Sequence, residues 1–234
     1  MHRCRTPQPG WIAILGAATI WMGAHGQQLQ FLPELDGHLT LNSNLRVYLQ
    51  AKDDREGSDP HQFTFGPSLQ LFHKPLLKLK RISAFDLDDL TSRPLVVESG
   101  YRIITAPDTP PKNRALEEVT FRLPISTLFS LTDRNRVDLE WQMGKFDWRY
   151  RNGVRLQRTV TIRKFHFIPY LVAEPFYKSQ YGKWSATDLY AGSLLPTGKH
   201  AQIDCYYEHE NDTGHHPNRQ QNYIGLALHI YFSH

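Results

Sequence analysis

The sequence predicts an all-β fold, an antiparallel up-and-down transmembrane β-barrel of about ten strands (roughly 8–12). Three observations carry this: apolar–polar alternation recurring along the chain, one alternating segment too long for an ordinary globular sheet, and an N-terminus laid out like a secretory signal. The alternation is clearest from Gln221 to Phe232. Ile224, Leu226, Leu228, Ile230 and Phe232 share one parity, and Tyr223, Gly225, Ala227, His229 and Tyr231 the other. Successive strand side chains point to opposite faces, so this segment has one apolar face and one mixed face.

At the N-terminus, Arg3 and Arg5 precede the apolar run Trp11–Met22, and Ala24-His25-Gly26 offers a small-x-small cleavage site. The run is shorter than the roughly 20 residues of a spanning helix. Residues 1–26 therefore read as a signal peptide, and 27–234 as one outer-membrane barrel domain beginning at Gln27. Removing two arginines takes the formal charge from +4 to +2. That balance and the export signal argue against nucleic acid as a partner. Low hydropathy is compatible with a membrane barrel, because only alternate residues face lipid. Beyond Cys4 the only thiol is Cys205, so the mature chain has no internal disulfide.

In chain order, the first strand reads as His38–Lys52. Leu39, Leu41, Leu45, Val47, Leu49 and Ala51 hold the odd positions, with only Ser43 interrupting. At about 3.3 Å per residue this segment spans roughly 50 Å, against the usual 17–20 Å of a strand. Next come Phe63, Phe65, Pro67, Leu69 and Leu71 alternating with Gln62, Thr64, Gly66, Ser68 and Gln70. Further strands are expected at Leu95–Thr105, Arg114–Ile125, Arg136–Met143, Trp148–Val160, His166–Tyr177, Ala186–Leu195, Ala201–Glu210 and the C-terminal segment. An even count would place both termini on the periplasmic side. Asp53–Asp59, Pro107–Lys112 and Asn211–Asn218 read as loops, and residues 73–93 as a long connection, hairpin, short helix or plug. Trp141, Trp148, Tyr150, Tyr177, Trp184, Tyr190 and Tyr223 gather near strand ends, as an interfacial aromatic girdle would.

The run Arg149-Tyr150-Arg151-Asn152 opens a wider pattern. It continues through Pro169-Tyr170, Ala173-Glu174, Phe176-Tyr177, Lys183-Trp184, Leu195-Pro196-x-Gly198-Lys199, Tyr206-Tyr207-Glu208 and the strand ending at Phe232. In order and spacing these resemble the bacterial family catalogued as domain of unknown function 2490, which is similar to predicted outer-membrane barrels. The resemblance covers most of residues 27–234 and is strongest from Arg136 onward. It implies a barrel fold, with no activity or catalytic residues to carry over.

Charge is the remaining signal. Arg149, Arg151 and Arg155 share one strand face, Glu174 lies on another strand, and Asp204 and Glu208 share a face of a third. Arginine at a bilayer midplane costs roughly 2–4 kcal/mol, so these six are expected to line the lumen as an Arg–carboxylate network, with bidentate guanidinium pairing favoured. The leading expectation is a non-enzymatic, porin-like protein of the bacterial outer membrane, structural or a narrow solute conduit. Its expected partners are outer-membrane lipid and lipopolysaccharide, the barrel-assembly machinery during biogenesis, and a small solute in the lumen; no cofactor or metal is assigned. The runner-up is a barrel hydrolase acting on lipid, peptide or envelope polymer, with His200 or His229, Asp204 and Ser193 as its only visible chemistry. A third reading is a soluble periplasmic β-barrel that binds a small apolar ligand. His209, His215 and His216 with Glu208 and Glu210 form a weak metal candidate, read instead as a solvated loop. Pro196-Thr197-Gly198-Lys199 lacks the full phosphate-binding pattern and reads as a turn.

Overall fold

A computed structural model describes residues 29–54, 61–73, 94–126, 128–163, 165–214 and 216–233. The proposed signal peptide and nearly all of the 73–93 connection lie outside the described residues.

All described secondary structure is β. The strands are β1 (Leu29–Asn42), β2 (Leu45–Asp54), β3 (Gln62–His73), β4 (Leu95–Ala106), β5 (Thr109–Pro124), β6 (Phe129–Gln142), β7 (Lys145–Arg158), β8 (Val160–Ile162), β9 (Phe165–Lys178), β10 (Lys183–Pro196), β11 (Ala201–Asp212) and β12 (Arg219–Ser233). Each pairs with its sequence neighbour in antiparallel fashion, except that β7 and β8 both pair with β9, and β12 returns to pair with β1. The short β8 continues β7 along β9 in one register: Gln157 faces Tyr170 and Val160 faces Phe167. Between them the Thr159 N–H donates to the Leu128 carbonyl at 2.9 Å, one step on in the β6–β7 register. The wall is thus a closed barrel of 11 staves, close to the expected ten.

The added stave comes from the first predicted strand. His38–Lys52 is not one 50 Å strand but the hairpin of β1 and β2, turning at Ser43-Asn44. A two-residue turn pairs Asn42 with Leu45, which alone would reverse the parity between the arms. A bulge between Thr40 and Asn42 restores it, so Leu39 faces Val47 and Leu35 faces Ala51. The odd positions stay apolar through the turn, which hides it from a periodicity reading. Other expected loops also shrink: Pro107-Asp108 is a tight turn into β5, and Asp53 belongs to β2.

An odd stave number makes the closing pair parallel. Leu29 faces Asn222, Asp36 faces His229 and Thr40 faces Ser233. β1 therefore begins at one end of the barrel, called the near end below, while β12 finishes at the far end. This overturns the expectation that both ends of the barrel domain share a side.

On most staves the alternation sorts by face; the exceptions gather on β4–β7, where Ser99, Glu117, Asp133, Asn135 and Asn152 take the outward parity and bond one another. In β3, Gln62, Thr64, Ser68 and Gln70 are buried, whereas Phe63, Phe65, Leu69 and Leu71 are exposed. Around the barrel the exposed set includes Leu49, Leu123, Leu156, Leu189, Leu226 and, at 61 %, Leu171. The buried set includes Arg102, Arg114, Asp138, Glu174 and Asp188. A water-soluble domain buries its apolar side chains and almost never buries unpaired charges; this barrel has the opposite polarity. Its apolar interior is dispersed: Ile168, Tyr170 and Leu194 form one cluster, while Leu32, Phe72, Val96, Ile104, Leu116 and Phe176 are buried elsewhere.

Candidate functional site: the charged lumen

The lumen is built on the β6–β7 hairpin. Met143 and Gly144 form its turn with φ of 51° and 77°, the positive pair that a type I′ hairpin requires. That turn pairs Gln142 with Lys145, and the register runs on to place Asp138 opposite Arg149 and Arg136 opposite Arg151. Even positions of β6 and odd positions of β7 face inward, so charges meet across the ladder.

At the centre is Asp138, fully buried at 0 % exposure. Arg136 Nε donates to its Oδ1 at 2.7 Å, Arg149 Nε donates to its Oδ2 at 2.7 Å, and Arg151 Nη2 lies 3.0 Å from the same Oδ2. Three guanidiniums thus converge on one carboxylate in place of separate bidentate pairs. Short strand spacing favours sharing, because residues opposite and diagonal across a ladder are all within reach of a long side chain. Beside it, Glu140 accepts from Arg114 Nε at 2.7 Å and lies 3.4 Å from Lys112 and 3.5 Å from Arg149.

Glu174, 1 % exposed, carries the network to the next stave. Arg134 on β6 reaches over β7 to donate to Glu174 on β9 at 2.6 Å, and Arg151 Nε stands 3.9 Å from the same carboxylate. The residue between them on β7 is Gly153, paired with Arg134; a Cβ there would sit 3.4 Å from Arg134 Nε and 3.7 Å from Glu174 Cδ. Only the smallest side chains leave the bridge room to cross.

Arg155 stacks over the Tyr170 ring at 3.7 Å, and the Tyr170 hydroxyl donates to Asp204 at 2.8 Å. Glu208 completes the expected set. All six anticipated residues, Arg149, Arg151, Arg155, Glu174, Asp204 and Glu208, line one cavity of about 380 Å³. Its walls differ in sign. Arg114, Arg122, Arg134, Arg136, Arg149 and Arg151 line β5–β7 with one carboxylate, Glu118, among them, while Asp188, Asp204, Glu208 and Glu210 line β10–β11. Sequence reasoning missed Asp138, Glu140, Arg134 and Arg136; counting outward from the Met143-Gly144 turn would have found their partners.

Other expected groupings separate. Glu208 and Glu210 line the lumen, but His209 takes the opposite parity and bonds Asn222 Oδ1 at 2.8 Å, so they do not form one metal set. His215 lies outside the described residues. Ser193 has the outward parity of β10, His200 contacts the Tyr231 carbonyl at 3.3 Å, and His229 pairs with Asp36 rather than Asp204. No Ser–His–Asp arrangement follows from these residues. Of the aromatic girdle, Trp141, Trp148, Tyr150, Tyr177 and Trp184 form a belt near the 143–144 and 179–182 turns at the near end. Within it, Trp148 stacks on Tyr177 at 5.4 Å and Trp184 meets Tyr150 edge-on at 5.9 Å. Tyr190 and Tyr223 instead belong to the interior, Tyr223 almost fully buried.

No family model, no curated protein and no solved structure matches this chain.

Proposed function

We propose that this chain is a non-enzymatic β-barrel of a bacterial outer membrane whose lumen is held by its own charge network. One observation carries the reading: most large apolar side chains face out, and the arginines and most carboxylates of the staves face in. Stave number alone would not decide, since closed soluble cans of 11 strands also exist. A barrel dissolved in water would leave its outward leucines and phenylalanines without cover. Lipid covers them, and the belt at Trp141, Trp148 and Trp184 suits the headgroup level. The soluble ligand-binding alternative loses support, because the cavity is walled mainly by charge.

Within that reading the lumen works as a structural core. Arg102, Arg114, Asp138 and Glu174 are too buried and too cross-linked to act as a mobile gate. The 380 Å³ cavity, with a basic wall facing an acidic one, favours a second role as a narrow conduit for a small dipolar solute. Lipopolysaccharide, outer-membrane lipid and the assembly machinery are the partners this placement entails.

Fractionation of the expressed protein, with gel mobility compared before and after heating, tests the placement. Outer-membrane recovery with a heat-dependent shift is the expected result. Recovery in the soluble periplasm without a shift would end the membrane reading. Planar-bilayer recording then separates the two roles: near-zero conductance for a filled lumen, small regular steps for a conduit.

A further inference from the structure

Away from the arginine wall, the parallel seam between β12 and β1 holds a second cluster. Asp36 and His38 occupy positions i and i+2 of β1 and so share its inward face. His229 faces Asp36 from β12, with its Nδ1 2.9 Å from Asp36 Oδ2. One ligand atom from each of Asp36, His38 and His229 lies within 4.8 Å of the other two.

His38 is the unexplained member. It is 5 % exposed, and neither Nδ1 nor Nε2 has a hydrogen-bond partner. A buried imidazole carries one donor and one acceptor, and leaving both unused is costly. Its plane is nevertheless fixed on both sides: Tyr48 stacks at 4.9 Å and 14°, Tyr231 at 4.7 Å and 9°. The Asp36 carboxylate is held too, since the Tyr48 hydroxyl donates to Oδ1 at 2.9 Å and leaves Oδ2 toward His229. A ring clamped in orientation with idle nitrogens, beside an oriented carboxylate and a second imidazole, is the preparation a metal ligand set needs.

We propose that Asp36, His38 and His229 bind one divalent transition-metal cation of the zinc class at the seam. Two imidazole nitrogens and a carboxylate oxygen suit such an ion better than calcium or magnesium, which take all-oxygen shells. Zinc bonds of about 2.0–2.2 Å put ligand atoms roughly 3–4 Å apart, so a small inward swing of His38 completes the set. Three protein ligands leave a fourth position to water or a lumen solute. The ion would tie the first stave to the last, where a parallel ladder pairs slightly less firmly than an antiparallel one. The proposal needs the barrel's closure and not its place in a membrane.

The test uses the purified full chain without a polyhistidine tag, in detergent or buffer according to how it is recovered. Zinc alone is titrated calorimetrically, with melting followed by circular dichroism. About one zinc per chain and a melting point raised by zinc are expected. His38→Gln and His229→Gln should each weaken binding by roughly a hundredfold or more, at or beyond the range of outer-sphere changes. His209→Gln, outward and bonded to Asn222, should bind as the wild type does. Should either glutamine variant fail to fold, Asp36→Asn gives the same reading while keeping an acceptor for Tyr48. Absence of zinc binding, or binding unchanged in the folded His38→Gln or Asp36→Asn variant, overturns the site. Loss in His209→Gln alone overturns it equally.

Discussion

The β6–β7 wall and the β12–β1 seam are both inward-facing strand pairs, yet they are held by different means. The wall is antiparallel, closed by a two-residue turn, and crowded with charge around Asp138 and Glu174. The seam is parallel, joins residues from opposite ends of the sequence, and is filled with rings: His38 between Tyr48 and Tyr231, and His229 beside Asp36. In the wall, a local turn fixes which charges meet, so Arg136, Arg149 and Arg151 all reach Asp138. In the seam, partners meet only once the whole barrel has closed. Apart from the Asp36–His229 contact, stacking and hydrogen bonds that tolerate small shifts take the place of ion pairs there.

Replacing the central carboxylate is the largest test of that contrast. Asp138→Ala leaves three buried guanidiniums facing one another, and breaking a buried ion cluster costs about 3–5 kcal/mol. The temperature at which the folded band is lost should fall steeply. The equivalent seam change, Asp36→Ala, removes one hydrogen bond from Tyr48 and one from His229, and should cost about 1–3 kcal/mol. Equal losses in the two variants would erase the distinction between the regions.

Glycine sharpens the comparison at smaller scale. At the seam side, a Cβ on Gly225 would fall within the Tyr206 ring. Gly225→Ala should therefore cost about 1–3 kcal/mol by overpacking. The loss should be largely recovered in the double variant with Tyr206→Ala, a non-additivity visible in a melting cycle. In the wall, Gly153→Val should push Arg134 off Glu174 and cost about 1–3 kcal/mol, limited by Arg151, which stays 3.9 Å from the same buried carboxylate. If Gly153→Val proves the more damaging of the two, space in the wall is scarcer than its side-chain geometry indicates.

Most of the barrel was legible in the sequence, for reasons that also explain the misses. Alternation located nine staves from β3 onward, most of them to within a few residues; the start of β6 was missed by seven, because Asp133 and Asn135 put polar side chains on its outward parity. It failed at Ser43-Asn44, where the bulge beside Leu41 carries the parity through a turn and joins two staves into one. The inward direction of Arg149, Arg151, Arg155 and Glu174 followed from the cost of charge in lipid. Asp138, the shared partner of Arg149 and Arg151, is legible only through the hairpin register that the Met143-Gly144 turn sets. The seam cluster had no local signal: Asp36 and His229 lie at opposite ends of the chain, and no turn connects them.

The parallel closure also limits how the chain can be rewired. In most domains the two chain ends lie close together, so they can be joined and the chain reopened elsewhere. Here the start of β1 and the finish of β12 are separated by nearly a full stave, roughly 35–40 Å at the usual rise per residue. A short linker cannot bridge that distance, and a long one would have to run through the charged interior or along the apolar outside. The order of the staves is therefore fixed from first to last, and the barrel has a direction that circular permutation cannot remove.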